Sequence, residues 1–215
     1  MINWDLKMKF FDRRKAGEKL TELFLKNHLQ VDDSLILALP RGGVVVAAVM
    51  AEKLKLPLDI IVTRKIGAPS NPEYAIAAVS LKKIVLNESE KPNEKYLKEQ
   101  VLKERQEILR RMKEYRGDRL YPSFKGKTII LVDDGLATGL TMQAAIEEIK
   151  LQKPARIIVA VPVAPPETFE MIKSMVDKAI SLSIEPIFWA VGQFYQNFYE
   201  VSDLEVKKLL NRSDV

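Results

Sequence analysis

The residues best suited to chemistry lie in one stretch, Thr128 to Thr141, which reads Thr-Ile-Ile-Leu-Val-Asp-Asp-Gly-Leu-Ala-Thr-Gly-Leu-Thr. A continuous β-rich run delivers two adjacent carboxylates, Asp133 and Asp134, to its carboxyl end. A turn of small residues with two hydroxyls then opens directly into a helix. Such a turn presents backbone N–H groups at the positive end of a helix dipole, so Ala137, Thr138, Gly139, Leu140 and Thr141 form a phosphate cradle, with the Thr138 and Thr141 hydroxyls as added donors. The carboxylates follow the strand at about one sugar's width from that phosphate, where they can accept protons from hydroxyls or hold a metal ion. Phosphate at one end and a vicinal diol at the other describe a ribose 5-phosphate. A strand that ends in acidic residues by chance is the plainer alternative.

Two more loops carry cations. In Pro40-Arg41-Gly42-Gly43 the glycines let backbone N–H groups approach an anion closely, and the arginine fork suits phosphate oxygens. A simple strand-to-helix turn is the plainer alternative. Arg64 and Lys65 lead into a Gly- and Pro-rich segment that runs to Pro72 and reads as a loop; adjacent cations at a strand end also describe a solvated turn. Two rival signatures fail. Gly126-Lys127-Thr128 ends like a Walker A loop, but Tyr121 stands where a glycine is required and the tripeptide precedes a strand. No Gly-x-Gly-x-x-Gly exists to complete a dinucleotide fingerprint around Gly42-Gly43.

These loops need strands and helices to hold them, and the chain alternates accordingly. Asp12 can cap a helix running to about Leu29 with an apolar stripe of Leu20, Leu23, Phe24 and Leu25. Strands are expected over Ser34–Leu39, Leu58–Thr63, Thr128–Val132, Arg156–Val161 and Lys178–Leu182, with Tyr74–Val79 and Lys83–Leu86 as a short pair. Helices are expected over Val44–Leu54, Leu140–Leu151 and Pro165–Met175. This pattern predicts an α/β fold with a doubly wound, mostly parallel sheet flanked by helices. Ligands then sit at the carboxyl ends of the strands, so the loops after Leu39, Thr63 and Val132 should line one site.

Glu90 to Arg116 stands apart as a long charged helix with Leu97, Val101, Ile108, Met112 and Tyr115 on one side. The pairs Glu94/Lys98, Glu99/Lys103 and Glu107/Arg111 run in the favourable i,i+4 order. Its nine basic and six acidic residues leave a local +3. A solvated helix on the domain edge or a dimer partner is one reading, and a basic face for RNA is the other.

Composition bounds the rest. The 215 residues contain no cysteine and one histidine, which excludes disulfides, thiolate catalysis, Cys-based metal sites and His-pair metal motifs. His28, in a polar stretch, reads as a solvated bystander. No apolar run approaches the roughly 18 residues that cross a bilayer, and Met1 is followed by charged residues, so no membrane partner and a cytoplasmic location are expected. The net charge of +5 and pI of about 9.2 suggest a polyanion, whether nucleic acid, an acidic membrane or a phosphorylated metabolite.

The stretch from Ile129 to Thr141 resembles the PRPP-binding signature of the type I phosphoribosyltransferases (PRPP is 5-phosphoribosyl 1-pyrophosphate). Gly135 departs from the family's usual apolar residue. Phe11-Asp12-Arg13 with Ala16-Gly17, the Pro40–Gly43 loop, Arg64 to Pro69 with Asn71-Pro72-Glu73, and Phe188 to Tyr195 extend the resemblance, toward a stand-alone group, over nearly the whole chain. It implies a single domain over residues 1–215, with residues 90–116 as an inserted helix and 183–215 as a carboxyl-terminal hood. It further implies a pyrophosphate loop at Arg41, Gly42 and Gly43, with the Pro40–Arg41 bond as the candidate for a cis peptide. Arg64 and Lys65 would begin a mobile catalytic loop.

The implied reaction moves ribose 5-phosphate from PRPP to a nitrogen acceptor, a nucleobase or related amine, and releases pyrophosphate through an oxocarbenium-like transition state. Asp133 and Asp134 would anchor the ribose hydroxyls and a Mg²⁺ ion, while Arg41, Arg64, Lys65 and Mg²⁺ neutralise the departing pyrophosphate. Glu73 is a candidate general acid or base, or equally a surface carboxylate. The acidic residue and the following-strand lysine that 6-oxopurine relatives carry, near Ala137 and near Pro162 to Ala164, are absent. Six of the sixteen aromatic residues fall between Phe188 and Tyr199. Phe188 or Trp189 could stack on a planar acceptor, whereas Phe194, Tyr195, Phe198 and Tyr199 form i,i+4 pairs suited to core or dimer packing. A homodimer is expected. A PRPP-sensing regulator that binds RNA or DNA without catalysis is the alternative.

Overall fold

A computed structural model of the protein describes residues 9–29, 31–87 and 89–211; the last four residues of the expected hood lie outside them, as do residues 1–8. In chain order the strands are β1 (Ser34–Ala38), β2 (Leu58–Ile60), β3 (Arg64–Ala68), β4 (Asn71–Val79), β5 (Ile84–Leu86), β6 (Thr128–Val132), β7 (Arg156–Ala164) and β8 (Lys178–Ile184). The helices are α1 (Arg13–Lys26), α2 (Gly42–Leu54), α3 (Glu94–Arg116), α4 (Leu140–Lys150), α5 (Pro166–Met175) and α6 (Asp203–Asn211), with a short 3₁₀ turn at Val191–Phe194.

The central sheet is parallel, in the order β2-β1-β6-β7-β8, and is covered on both faces as the apolar runs predict. Alternate residues of each strand serve opposite layers. Ile36, Ile130, Val132, Ile158 and Ala160 share a core with Leu20 and Phe24 of α1 and Met50 of α2. Leu37, Ile129, Leu131, Val159 and Val161 share the other core with Met142, Ile146 and Ile149 of α4 and Ile172 of α5. Each fully buried Leu, Ile or Met side chain contributes about 1.5–3 kcal/mol.

Strand order fixes where a ligand can sit. From β1 the chain crosses through α2 to β2 on one side, while β6 lies on the other, so the order reverses between β1 and β6 and opens a crevice at their carboxyl ends. Ala38 pairs with Val132, and Leu39 N–H continues the ladder to the Val132 carbonyl at 3.0 Å. The loop after β1 and the loop after β6 therefore leave the sheet side by side.

The segment from Arg64 to Pro72, expected as a loop, is instead most of a hairpin: β3 pairs antiparallel with β4, and β4 with β5 as expected. Its glycine and prolines mark an irregular register rather than an absence of strand. The ladder shifts at Ile66/Gly67 and again at Gly67/Ala68, and a Cβ on Gly67 would stand 2.2 Å from the Pro72 carbonyl oxygen. Ala75 and Ala78 seat this small sheet on Leu140 and Ala144 of α4.

Helix α3 begins at Glu94, capped by Asn93, four residues later than the sequence suggested. Val101, Ile108 and Tyr115 are buried, and the Tyr96 hydroxyl donates to the Gly67 carbonyl at 2.9 Å, so the helix packs on the domain edge. Its Arg116 is buried in a two-point ion pair with Asp59 (2.7 and 2.8 Å). Helix α1 stops at Lys26, and Leu25, expected in its apolar stripe, points outward. His28 is exposed, as expected.

Phe194, Tyr195, Phe198 and Tyr199 do not lie on one helix. Phe194 ends the 3₁₀ turn and the chain then runs irregularly to α6. Phe194 and Tyr195 enter the core, and their segment is stitched to the start of the chain, with Phe10 N–H donating to the Phe194 carbonyl at 3.0 Å and Gln196 N–H to the Phe10 carbonyl at 2.9 Å. Among the described residues no helix is long and apolar enough to cross a membrane.

Candidate active site

Strand β6 ends in Asp133 and Asp134 at the crevice. Asp133 accepts a hydrogen bond from the Asp134 backbone N–H through Oδ1 at 2.8 Å. Asp134 receives Nε of Arg13 on Oδ2 at 2.6 Å, and its carbonyl accepts from the Tyr195 hydroxyl at 2.6 Å. Burial pushes the Asp133 carboxyl well above the ordinary range, and the neighbouring Asp134 charge adds to it. The Asp134 carboxyl is raised by burial against the opposing pull of Arg13.

Gly42 and Gly43, which open α2, press against this pair. A Cβ on Gly43 would stand 2.9 Å from the Val132 carbonyl oxygen and from Oδ1 of Asp133, so the two loops can pack this closely only with glycine there. The Pro40–Arg41 peptide is cis, as the resemblance implies.

Past the acidic pair, Gly135 to Thr141 lines a cavity of about 170 Å³, closed by Ala75 and Lys65 from the hairpin and Val191 from the 3₁₀ turn. Gly139 has φ +74° and starts α4 with no side-chain cap, so the first-turn N–H groups have no side-chain acceptor there. The Ala137 carbonyl is held by the Thr168 hydroxyl of α5 at 2.8 Å. Thr138 is exposed and Thr141 half-buried at this wall. The cavity thus joins uncapped donors, two hydroxyl residues and a lysine at one end of a loop whose other end carries two carboxylates, an arrangement for an anionic, hydroxylated ligand.

The remaining cations are paired with carboxylates. Arg41 forms an ion pair with Glu200 and approaches Asp203 at 3.8 Å. Arg64 binds Glu104 of α3 at 2.7 Å, and Lys65 binds Glu73 at 2.8 Å. The Lys65 ammonium holds the Glu73 carboxyl below its ordinary range, which makes it a weak base while that contact lasts.

The model of the phosphoribosyl transferase domain matches residues 11–198. The chain belongs to the phosphoribosyl transferase domain family. Two Mycobacterium tuberculosis proteins, from strains CDC 1551 / Oshkosh and ATCC 25618 / H37Rv and each named as a presumptive phosphoribosyl transferase, are 33% identical to it over 212 residues, 96% of this chain and 47% of theirs. The chain thus spans about half the length of those curated relatives. The crystal structure of TT1426 from Thermus thermophilus superposes with a TM-score of 0.79 at 39% identity, covering 95% of this chain and 99% of that one.

The structure accounts for the residue at which the chain departs from the family pattern. A Cβ on Gly135 would stand 2.7 Å from Val191 and 3.0 Å from Val163, so an apolar side chain from the 3₁₀ turn already fills that space. Of the two aromatic residues expected to face an acceptor, Phe188 is packed against Phe194 with ring centroids 5.0 Å apart, and Trp189 is 69% exposed. Arg13 escaped the sequence reading as a site residue. The signal was present: Arg13, Arg14 and Lys15 crowd the positive end of α1, whose first turn has no acidic residue, so a cation there needs a carboxylate from elsewhere.

Proposed function

We propose that the protein transfers ribose 5-phosphate from PRPP to a nitrogen acceptor and releases pyrophosphate. The observation that carries this reading is the single loop from Asp133 to Thr141, which has the half-buried acidic pair at one end and the cavity at the uncapped start of α4 at the other. Membership of the phosphoribosyl transferase family supports it.

In this reading Thr138, Thr141 and the N–H groups from Ala137 to Leu140 take the 5-phosphate, and Asp133 and Asp134 accept from the ribose hydroxyls. Arg41, the Gly42 and Gly43 amides, Arg64 and Lys65 take the pyrophosphate, the three cations exchanging their carboxylate partners for phosphate oxygens. The acceptor nitrogen bonds to the anomeric carbon as the bond from that carbon to the pyrophosphate oxygen breaks. The electron pair leaves with pyrophosphate and the acceptor proton passes to a base. Glu73 can serve as that base once Lys65 has turned to the substrate. Trp189 is the aromatic surface on which a planar acceptor can stack.

Magnesium fits the acidic pair as a shared site. Among the described residues no three His, Cys, Asp or Glu side chains converge to enclose a metal. Asp133 and Asp134 would supply the protein's ligands, with water and substrate oxygens for the rest, and the ion, when bound, offsets phosphate charge.

Nucleic acid is the poorer reading, because the four arginines among the eight cations of α3 are engaged within the protein. Arg110 and Arg111 share Glu107, Arg105 donates to the Ser80 carbonyl and Arg116 is buried on Asp59. The deciding experiment incubates the protein with Mg²⁺-PRPP and a panel of purines, pyrimidines and simple amines and assays pyrophosphate release. Release with one acceptor and not without it is expected; silence across the panel together with no PRPP binding rejects the proposal.

A further inference from the structure

Arg13 occupies a position that the transfer reading above leaves without a role. It is the first residue of α1, its side chain is 6% exposed, and it faces a carboxylate 13% exposed. Nε donates to Asp134 Oδ2 at 2.6 Å, and Nη1 donates to the Tyr199 carbonyl at 2.7 Å. The guanidinium carbon stands 3.8 Å from the centre of the Phe198 ring, and a Cβ on Gly42 would approach Nε to 3.0 Å. One side chain therefore touches the acidic pair, the glycine loop and the chain segment that follows the 3₁₀ turn.

Burying a guanidinium and a carboxylate costs several kcal/mol per ion, and apolar residues of similar volume often fill such a site at least as well. The pair therefore contributes little to folding that a hydrophobic contact could not. What it does provide is direction. A lone carboxylate at a strand end can rotate about its Cβ–Cγ bond, and the bond from Arg13 stops that rotation by committing Oδ2. The direction of Oδ1 is set with it. The planar guanidinium is itself held from two sides, by the Tyr199 carbonyl and the Phe198 face, so its orientation is fixed as well.

We infer that Arg13 is a positioning residue that presets Asp134 to receive a ribose hydroxyl and ties that carboxylate to the Phe198–Tyr199 segment. The inference rests on the proposed binding of a ribose 5-phosphate between the acidic pair and the cradle. It separates two kinds of ligand. A sugar phosphate reaches Asp134 and depends on Arg13, whereas inorganic phosphate needs only the cradle at Thr138 to Thr141, which Arg13 does not contact.

The test compares ribose 5-phosphate with inorganic phosphate by titration calorimetry on the full chain, for the wild type, Arg13→Gln and Arg13→Lys. Arg13→Gln is expected to weaken ribose 5-phosphate about 10-fold or more and to leave phosphate within about 2-fold, as loss of a hydrogen bond to a charged group requires. Arg13→Lys, which keeps the charge and loses the fork, should recover part of the difference. Should Arg13→Gln fail to fold, the lysine variant carries the test through the same selectivity. Equal loss for both ligands, or no loss for either, overturns the assignment in favour of a purely structural ion pair. A wild type that binds ribose 5-phosphate no better than phosphate overturns the underlying site reading, and the assignment with it; that failure is recognisable because it appears before any substitution.

Discussion

Gly42 and Asp134 occupy adjoining space so fully that a Cβ on the glycine would stand 2.0 Å from Oδ2 of the aspartate and 2.7 Å from its Cγ. The glycine turn after β1 and the acidic end of β6 are therefore one packed unit. Gly42→Ala is expected to cost about 1–3 kcal/mol of stability, a typical penalty for overpacking, because the carboxylate must swing aside and leave Arg13. The stabilisation of the wild type by Mg²⁺-PRPP, read as a rise in melting temperature, should be largely absent in this variant; a full ligand-induced rise would show that the contact has no bearing on the site.

Asp133→Asn/Asp134→Asn removes the acidic pair with little change in shape. Mg²⁺-PRPP should raise the melting temperature of the wild type and not that of the double variant, and equal shifts in both would remove the pair from the site.

At the other end of the loop, Thr138→Ala and Thr141→Val each delete one hydroxyl from the cavity wall. Each is expected to weaken ribose 5-phosphate by about 10-fold, the usual loss for a hydrogen bond to a charged group, and to leave the far-ultraviolet circular dichroism unchanged. Calorimetric affinities that match the wild type would place the phosphate elsewhere.

Arg116 and Asp59, which do not line the cavity, make a structural counterpart. Their ion pair is buried and joins the end of α3 to β2, with the Arg116 side chain 4% exposed. Arg116→Met strands the Asp59 carboxylate and should cost about 3–5 kcal/mol in urea-unfolding stability, without altering the ribose 5-phosphate affinity of the folded protein.

Glu107 supplies a pH test. Its hydrogen bond to Arg110 and its contact with Arg111 hold its pKa at about 2, below the usual 4.5. A carboxylate lowered in the folded state stabilises fully above its unfolded pKa and loses that contribution as pH falls through the folded value. Glu107→Gln should therefore melt slightly lower than the wild type above about pH 5, and the gap should close on acidification from 4.5 toward about 2; because the pair is near the surface, added salt should narrow it as well. A gap that widens on acidification contradicts the assignment.

The parts of this architecture that were legible in the sequence are those where one local signal dominates. Thr128–Val132 is a continuous apolar run between a Gly-Lys turn and two carboxylates, and the strand has those bounds. Arg64–Ala68 was misread because Gly67, Pro69 and Pro72 are turn formers by local preference. Here they accommodate a register shift, and pairing with β4 outweighs that preference. The candidate site divides in the same way. The acidic pair and the residues from Gly135 to Thr141 that line the cavity are contiguous, so their proximity could be read directly. Arg13 lies 121 residues from its partner Asp134, so the contact exists only through the packing of α1 on α2, β7 and β8, and the partners of Arg41, Arg64 and Lys65 are likewise set by tertiary structure.

The bond from Arg13 to Tyr199 spans 186 residues, and Phe10 bridges to Tyr195 nearby. During synthesis from the amino end, α1 emerges long before the segment that holds its first residue in place. The acidic pair can thus assemble on the sheet while Arg13 still lacks its second anchor, and that contact forms only when residues near 200 leave the ribosome. Such distant pairing slows folding, because the entropy of closing the loop is lost before the contacts that reward it can form.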